Sequence, residues 1–116
     1  MKWFHIDEFD CPTKKGSGKN MDKDFLEKLD LARSYAKIPF KINSGYRTLK
    51  HNRSLNSKDT SSHIKGLASD IHCNNGQDRL IIVKALINAG FRRIGIANTF
   101  IHCDTDKDKP NSIWIY

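Results

Sequence analysis

Cysteine is scarce in this sequence. Cys11, Cys73 and Cys103 make an odd number with no CxxC spacing, which argues against both a disulfide framework and a thiolate metal site. Reduced, buried thiols are the expectation. A long hydrophobic run is also missing: no stretch approaches the roughly 20 apolar residues that cross a bilayer. The opening residues, Met1 to Glu8, place acids where a signal peptide needs an apolar core. A soluble protein with no export signal of its own and no membrane insertion is expected. Acids are the minority charge, 13 against 20 Lys and Arg, for a net charge of +7 and a pI near 9.5. That balance favours polyanions in general. The lysines are spread along the chain, with no basic stripe interleaved with aromatics and no nucleic-acid reading motif, so a solvated lysine-rich surface is the plain reading. Length is limited too. The 116 residues, 38% of them hydrophobic, suit one domain over residues 1–116 with one modest core.

What is present reads as short alternating elements. Residues 14 to 20 are polar and glycine-containing and read as an exposed loop, while Phe4, Ile6 and Phe9 are placed to pin the terminus to the core. Phe25, Leu29, Ala32 and Ala36 follow helical spacing from Asp22 to about Lys37, with Asn20 or Asp22 as cap and Pro39 as stop. Residues 40 to 42 suit a strand leading into Ser44-Gly45-Tyr46-Arg47. The polar stretch 48 to 62 reads as a long loop holding one short helix. A strand is expected over 67 to 73. A second helix over 78 to 89 would show Leu80, Ile81, Val83, Leu86 and Ile87 as a broad apolar face, with Gly90 as its stop. Strands follow near 92 to 96 and 100 to 104, and the tail 113 to 116 suits an edge strand. Without regular βαβ alternation, the fold class is α+β, an antiparallel sheet with helices packed on one side.

Side chains alternate along a strand, so Ala68, Asp70 and His72 share one face and Phe100, His102 and Asp104 share another. If those strands are neighbours, one sheet surface presents an imidazole and a carboxylate, and His63, just before the first strand, can lean over it. Two histidines and a carboxylate suit zinc, and three protein ligands leave a position for water. Other first-row metals also accept imidazole. A strand His or Asp is more often a surface or structural residue, so spacing alone does not establish a site.

The segment Ser61-Ser62-His63-Ile64-Lys65-Gly66-Leu67-Ala68-Ser69-Asp70 resembles the SxHxxGxAxD signature of the zinc D-Ala-D-Ala peptidases. That family contains D,D-carboxypeptidases, dipeptidases and L-alanyl-D-glutamate endopeptidases, and it shares a fold with the hedgehog signalling domain. Ser44-Gly45-Tyr46-Arg47, His51-Asn52 and Phe100-Ile101-His102-Cys103-Asp104 resemble its other motifs in the family's order. The resemblance runs from about Glu8-Phe9 to Trp114. It implies a hedgehog/D,D-peptidase-like fold, Zn2+ held by His63, Asp70 and His102, and a peptidoglycan peptide as substrate. It implies that Arg47 stabilises the substrate carbonyl or oxyanion, against the plain alternative of a surface ion pair. It implies that Ser61 binds substrate backbone, against a loop cap. Gly66 and Ala68 read as small residues that let the chain pass close to the metal.

One position departs from the pattern. The dipeptidase branch has a glutamate base three residues before the second histidine, and Thr99 stands there, unable to take a proton at neutral pH. Asp104 is then the candidate base, with a carboxylate that orients His102 as the alternative. His72 is a candidate proton shuttle or a partly exposed structural histidine. The resulting expectation is a monomeric metallopeptidase acting on cell-wall stem peptides and not on nucleic acid, either cytoplasmic or virus-encoded and released to the wall at lysis or entry. The alternative is a non-catalytic zinc-holding module of the same fold.

Overall fold

The structure is a computed structural model and describes residues 1–116. Helix α1 (Lys23–Ala36) begins where Asp22 accepts the backbone N–H of Phe25, and it ends at Lys37 in the left-handed region ahead of Pro39. Strand β1 (Ile42–Ser44) starts two residues later than expected, because Phe40 is buried in the core while Ile42 is the first residue to pair, opposite Ile71. Helix α2 (Leu49–Ser54), capped by Thr48, is the short helix within the polar segment.

Strand β2 is Ala68–His72. Helix α3 (Gly76–Asn88) starts earlier than the apolar pattern indicates, since Asn75 caps it by accepting the Asp78 N–H. Its buried stripe is Ile82, Ala85 and Leu86, narrower than the expected face, and Leu80 and Ile87 are exposed. Strands β3 (Arg93–Ile96), β4 (Phe100–Asp104) and β5 (Ser112–Ile115) complete the molecule.

The sheet order is β1-β2-β4-β3-β5. The fold is α+β, as expected, and every pairing is antiparallel except β3 with β5, which is parallel and makes the sheet mixed at that edge. The cause is the connection after β4. Asp104 ends β4 beside the start of β3, and the short segment 105 to 111 crosses that end, so β5 enters at Ser112 opposite Arg93 and runs alongside β3.

One face of the sheet carries Ile71, Cys73, Ile94, Ile101 and Cys103, which pack with Phe25 and Leu29 of α1 and Leu86 of α3 into the core. All three cysteines are free and buried. Burying such side chains is the main source of stability, at about 25 cal/mol per Å² of apolar surface.

The amino-terminal segment is more ordered than its polarity suggests. Phe4 and Phe9 join the core while Ile6 stays exposed. Ser17 and Gly18, expected in an exposed loop, are buried because the Asp10 carboxylate accepts the N–H groups of Gly16 and Gly18 and folds the loop onto the turn at Ile6–Phe9. No helix is long and apolar enough to cross a membrane.

Candidate metal centre

The sheet face opposite the helices carries the polar residues. Register places Asp70 directly across from His102, His102 across from Gly95, and Gly95 across from Trp114. Cross-strand partners point the same way, so these side chains form one row across the sheet. Gly95 makes room in that row: a Cβ there would stand 2.7 Å from the Trp114 indole and 2.8 Å from the Tyr116 ring. Trp114 therefore lies over Gly95 with its ring 5.4 Å from that of His102.

His63 comes from outside the sheet. It sits in the turn that precedes β2 and reaches the same point, with its Nε2 3.4 Å from Asp70 Oδ1. His102 Nδ1 is 3.0 Å from the same oxygen. One donor atom from each of the three residues lies within 4.8 Å of the others, and all three residues are buried.

The second nitrogen of each imidazole decides what the first can do. His63 Nδ1 lies 2.8 Å from the Gly45 carbonyl, to which it donates, leaving the Nε2 lone pair directed at Asp70. His102 Nε2 lies 2.7 Å from Asp104 Oδ2 and donates to it, leaving Nδ1 on the Asp70 side. Two ligands held about 2.0–2.1 Å from one tetrahedral ion are separated by about 3.3 Å. The separations of 3.0 and 3.4 Å from Asp70 Oδ1 match that edge, and all three donor atoms lie within 4.8 Å of one another, close enough for the donor set to converge on one cation.

Electrostatics agree. Burial by itself raises the Asp70 carboxyl, but the hydrogen bond from His102 and the neighbouring His63 imidazole outweigh it and hold the group well below the ordinary carboxylate range. Burial opposes protonation of His102, yet its bonds to Asp104 and Asp70 push its pKa up. Without a metal, a proton on Nδ1 bridges His102 to Asp70; metal binding there would require that proton to leave.

Asp104 lies on the far side of the His102 ring from Asp70. It is 1% exposed, and both its oxygens are engaged: Oδ2 by His102, and Oδ1 by Arg93 Nε at 2.8 Å and the Asp106 N–H at 3.1 Å. Burial raises this carboxyl, and the bonds from His102, Asp106 and Arg93 bring it below its ordinary value. Arg93 stacks on Trp114, with its guanidinium carbon 4.8 Å from the ring centre.

Arg47 is not a loose surface cation. Its Nε donates to Ser44 Oγ, its Nη1 donates to Asn52 Oδ1, and its Nη2 lies 3.6 Å from Asp70 Oδ2. Asn52 is fully buried and also donates to the Lys58 carbonyl, so it ties Arg47 to the loop that walls the site. Ser61 Oγ accepts the His63 N–H at 3.3 Å, a loop-capping bond, and the residue also lines the cleft.

Gly66 plays a different part from the one read in the sequence. With φ +71° and a missing Cβ that would fall 2.3 Å from the Asn20 carbonyl, it permits a turn packed on the amino-terminal segment rather than an approach to the metal donors. His72 is exposed at the end of β2 and does not line the cleft, and Thr99 is exposed in the turn before β4.

The cleft over the donors has a volume of about 710 Å³. Arg47, Lys58, Arg93 and Lys109 line it, and Asp70 and Asp104 are its acids.

A family model described as Peptidase M15 matches residues 2–104, a span that includes all three donors. The chain belongs to the peptidase M15 family. M15 members are metallopeptidases, and the His-Asp-His group is where this one can hold an ion. Among solved structures, this M15 chain is similar to the L-Ala D-Glu endopeptidase ChiX of Serratia marcescens. The TM-score is 0.61 at 19% identity, covering 76% of this chain and 82% of that one, a likeness of fold. No curated protein sequence matches it.

Arg93 and Asn52 are the site residues whose roles sequence reading missed. Arg93 becomes legible once β3 is paired with β4, since it shares the face of Gly95 and His102. Asn52 was visible only as half of a two-residue motif.

Proposed function

We propose that this M15 peptidase, as one domain over residues 1–116 acting as a monomer, hydrolyses a peptide bond next to a D-amino acid in peptidoglycan stem peptides. Zn2+ would be held by His63, Asp70 and His102. The observation that carries this reading is the triangle of donors within 4.8 Å, each histidine fixed through its other nitrogen so that a lone pair faces inward. Zinc with three protein ligands supplies a Lewis acid and lowers the pKa of a water in its open position.

The chain's own residues do the rest. Arg47, locked by Ser44 and Asn52, keeps its guanidinium over the cleft beside Asp70, suited to a substrate carbonyl or the charge that develops on it. Ser61 uses its lone pair on the His63 N–H, which leaves its O–H free to donate to substrate backbone. Asp104 orients His102 and fixes its tautomer instead of serving as the base, because its oxygens are occupied on the wrong side of the imidazole. The four cations around the cleft favour a peptide that carries carboxylates.

A second reading, a zinc-holding module without catalysis, is favoured by one observation: the cleft's two acids, Asp70 and Asp104, are both engaged. Incubation with peptidoglycan and with synthetic stem peptides, with and without a chelator, separates the two readings when products are weighed by mass spectrometry. Chelator-sensitive release of D-Ala, D-Ala-D-Ala or a stem fragment supports the peptidase and names the bond. Intact substrate in the presence of protein with one tightly bound zinc supports the module.

A further inference from the structure

The three donors are not positioned alike. Asp70 and His102 stand on paired strands, whereas His63 hangs from a turn whose contact with the sheet has to be supplied by side chains. Behind that turn, Asp106 is a carboxylate only 2% exposed, just beyond β4, and its bonds reach back to the residue next to His63.

Its Oδ2 accepts the Ser62 hydroxyl at 2.8 Å, and Lys65 Nζ lies 3.1 and 3.0 Å from its two oxygens. Lys109 Nζ donates to the same Ser62 Oγ at 3.0 Å and stands 3.6 Å from Asp106. Ser62 is therefore held from both sides, as donor to Asp106 and acceptor from Lys109. The Asp106 backbone N–H in turn donates to Asp104 Oδ1, and Asp104 Oδ2 holds His102. One polar chain thus runs from Ser62 through Asp106 and Asp104 to His102, joining the turn that carries one histidine to the strand that carries the other.

We propose that Asp106 is a positioning residue for metal binding, which sets the place of His63 by clamping Ser62 to the end of β4. The inference rests on the reading that His63, Asp70 and His102 hold a metal. Two lysines neutralise Asp106, and the group is held ionised, with its pKa pulled to about 2 by bonds from Lys65 and Ser62 that outweigh its burial. An ionised, buried acceptor makes stronger hydrogen bonds than a neutral one. A ligand's outer partners are generally worth about 10–100-fold in metal affinity, and here the partner acts one residue further along the backbone.

The test is equilibrium titration of the full chain with Zn2+ and Co2+ against a chromophoric chelator. Wild type, Ser62→Ala, Asp106→Ala and the double variant are compared, together with the visible spectrum of the Co2+ forms and the melting temperature of the metal-free proteins. Each single variant should bind about tenfold more weakly, with a changed Co2+ spectrum. The double variant should be no worse than the poorer single, because both break one link. Asp106→Asn, which keeps the shape and an acceptor for Ser62, should fall between wild type and Asp106→Ala and covers the case in which the alanine variant does not fold. The proposal is overturned if affinity and spectrum are unchanged while only the metal-free melting temperature drops, which is the mark of a purely structural ion pair. Losses that multiply in the double variant also overturn it. If wild type itself binds neither ion, the metal-site reading fails instead.

Discussion

The sheet and the turn solve the same positioning problem by different means. Asp70 and His102 are placed by register: each is flanked by residues whose alternate side chains, Ile71 and Ile101, are fully buried in the core. A slip of one residue would turn both donors into the core, so the hydrophobic pattern that stabilises the sheet also specifies the site. His63 has no such guarantee. Its turn is held by the Gly45 carbonyl on Nδ1, by the Arg47 N–H on its own carbonyl, and by Ser62 with Asp106. Donors on a sheet inherit the sheet's stability, while a donor on a turn depends on individual hydrogen bonds.

Loss of a donor has the largest expected effect. His102→Ala, Asp70→Ala or His63→Ala should each weaken zinc binding on the order of a hundredfold or more, since each removes about a third of the ligand set. The zinc-dependent rise in melting temperature expected of wild type should then disappear. A variant that kept this rise would remove its residue from the site. Next in size is damage to the frame beneath the sheet donors. Ile101→Ala should cost about 2–5 kcal/mol in denaturant unfolding because the side chain is fully buried. It should weaken metal binding only where the protein begins to unfold.

The same contrast explains what the sequence made legible. The two strands of the sheet donors are legible from alternation alone, because Ile71, Cys73, Ile101 and Cys103 alternate with polar Asp70, His72, His102 and Asp104. Their adjacency was an assumption, and the Asp70–His102 register supplies it. The turn could be read only by its resemblance to a motif, since its geometry depends on partners distant in sequence: Asp106 lies 44 residues from Ser62. The parallel pairing of β5 was hidden for a similar reason, being decided by where a short loop crosses the sheet end. Leu80 and Ile87 misled because an apolar count does not say which part of a helix face the sheet will cover.

Asp104 supports a sheet donor through the donor's own ring. Asp104→Asn keeps the shape but replaces a charged acceptor with a neutral amide, so His102 loses the partner that fixes its tautomer. Metal affinity should fall about 10–100-fold. Turnover at saturating zinc should recover much of the loss. A general base would give the opposite result, with affinity retained and turnover abolished at every zinc concentration. Zinc titration of activity therefore separates the two roles in one experiment.

The smallest effect concerns the turn's clamp and appears in acid. Asp106 is held at about pKa 2 in the folded protein, by Lys65 and Ser62 against its burial, below its ordinary value of 3.8. A depressed carboxyl binds its proton more readily in the unfolded chain. Its stabilising contribution is therefore complete above about pH 4 and is lost as the pH falls toward 2. Because Lys65 is one-third exposed and solvent screens the pair, the contribution is on the order of 1–2 kcal/mol. Metal-free Asp106→Asn should therefore be less stable than wild type at pH 6 and approach it as the pH drops through that window, as measured by urea unfolding at stepped pH. A difference that stayed constant from pH 6 to pH 2 would mean that the charge on Asp106 does not hold the turn, and that packing around Ser62 does.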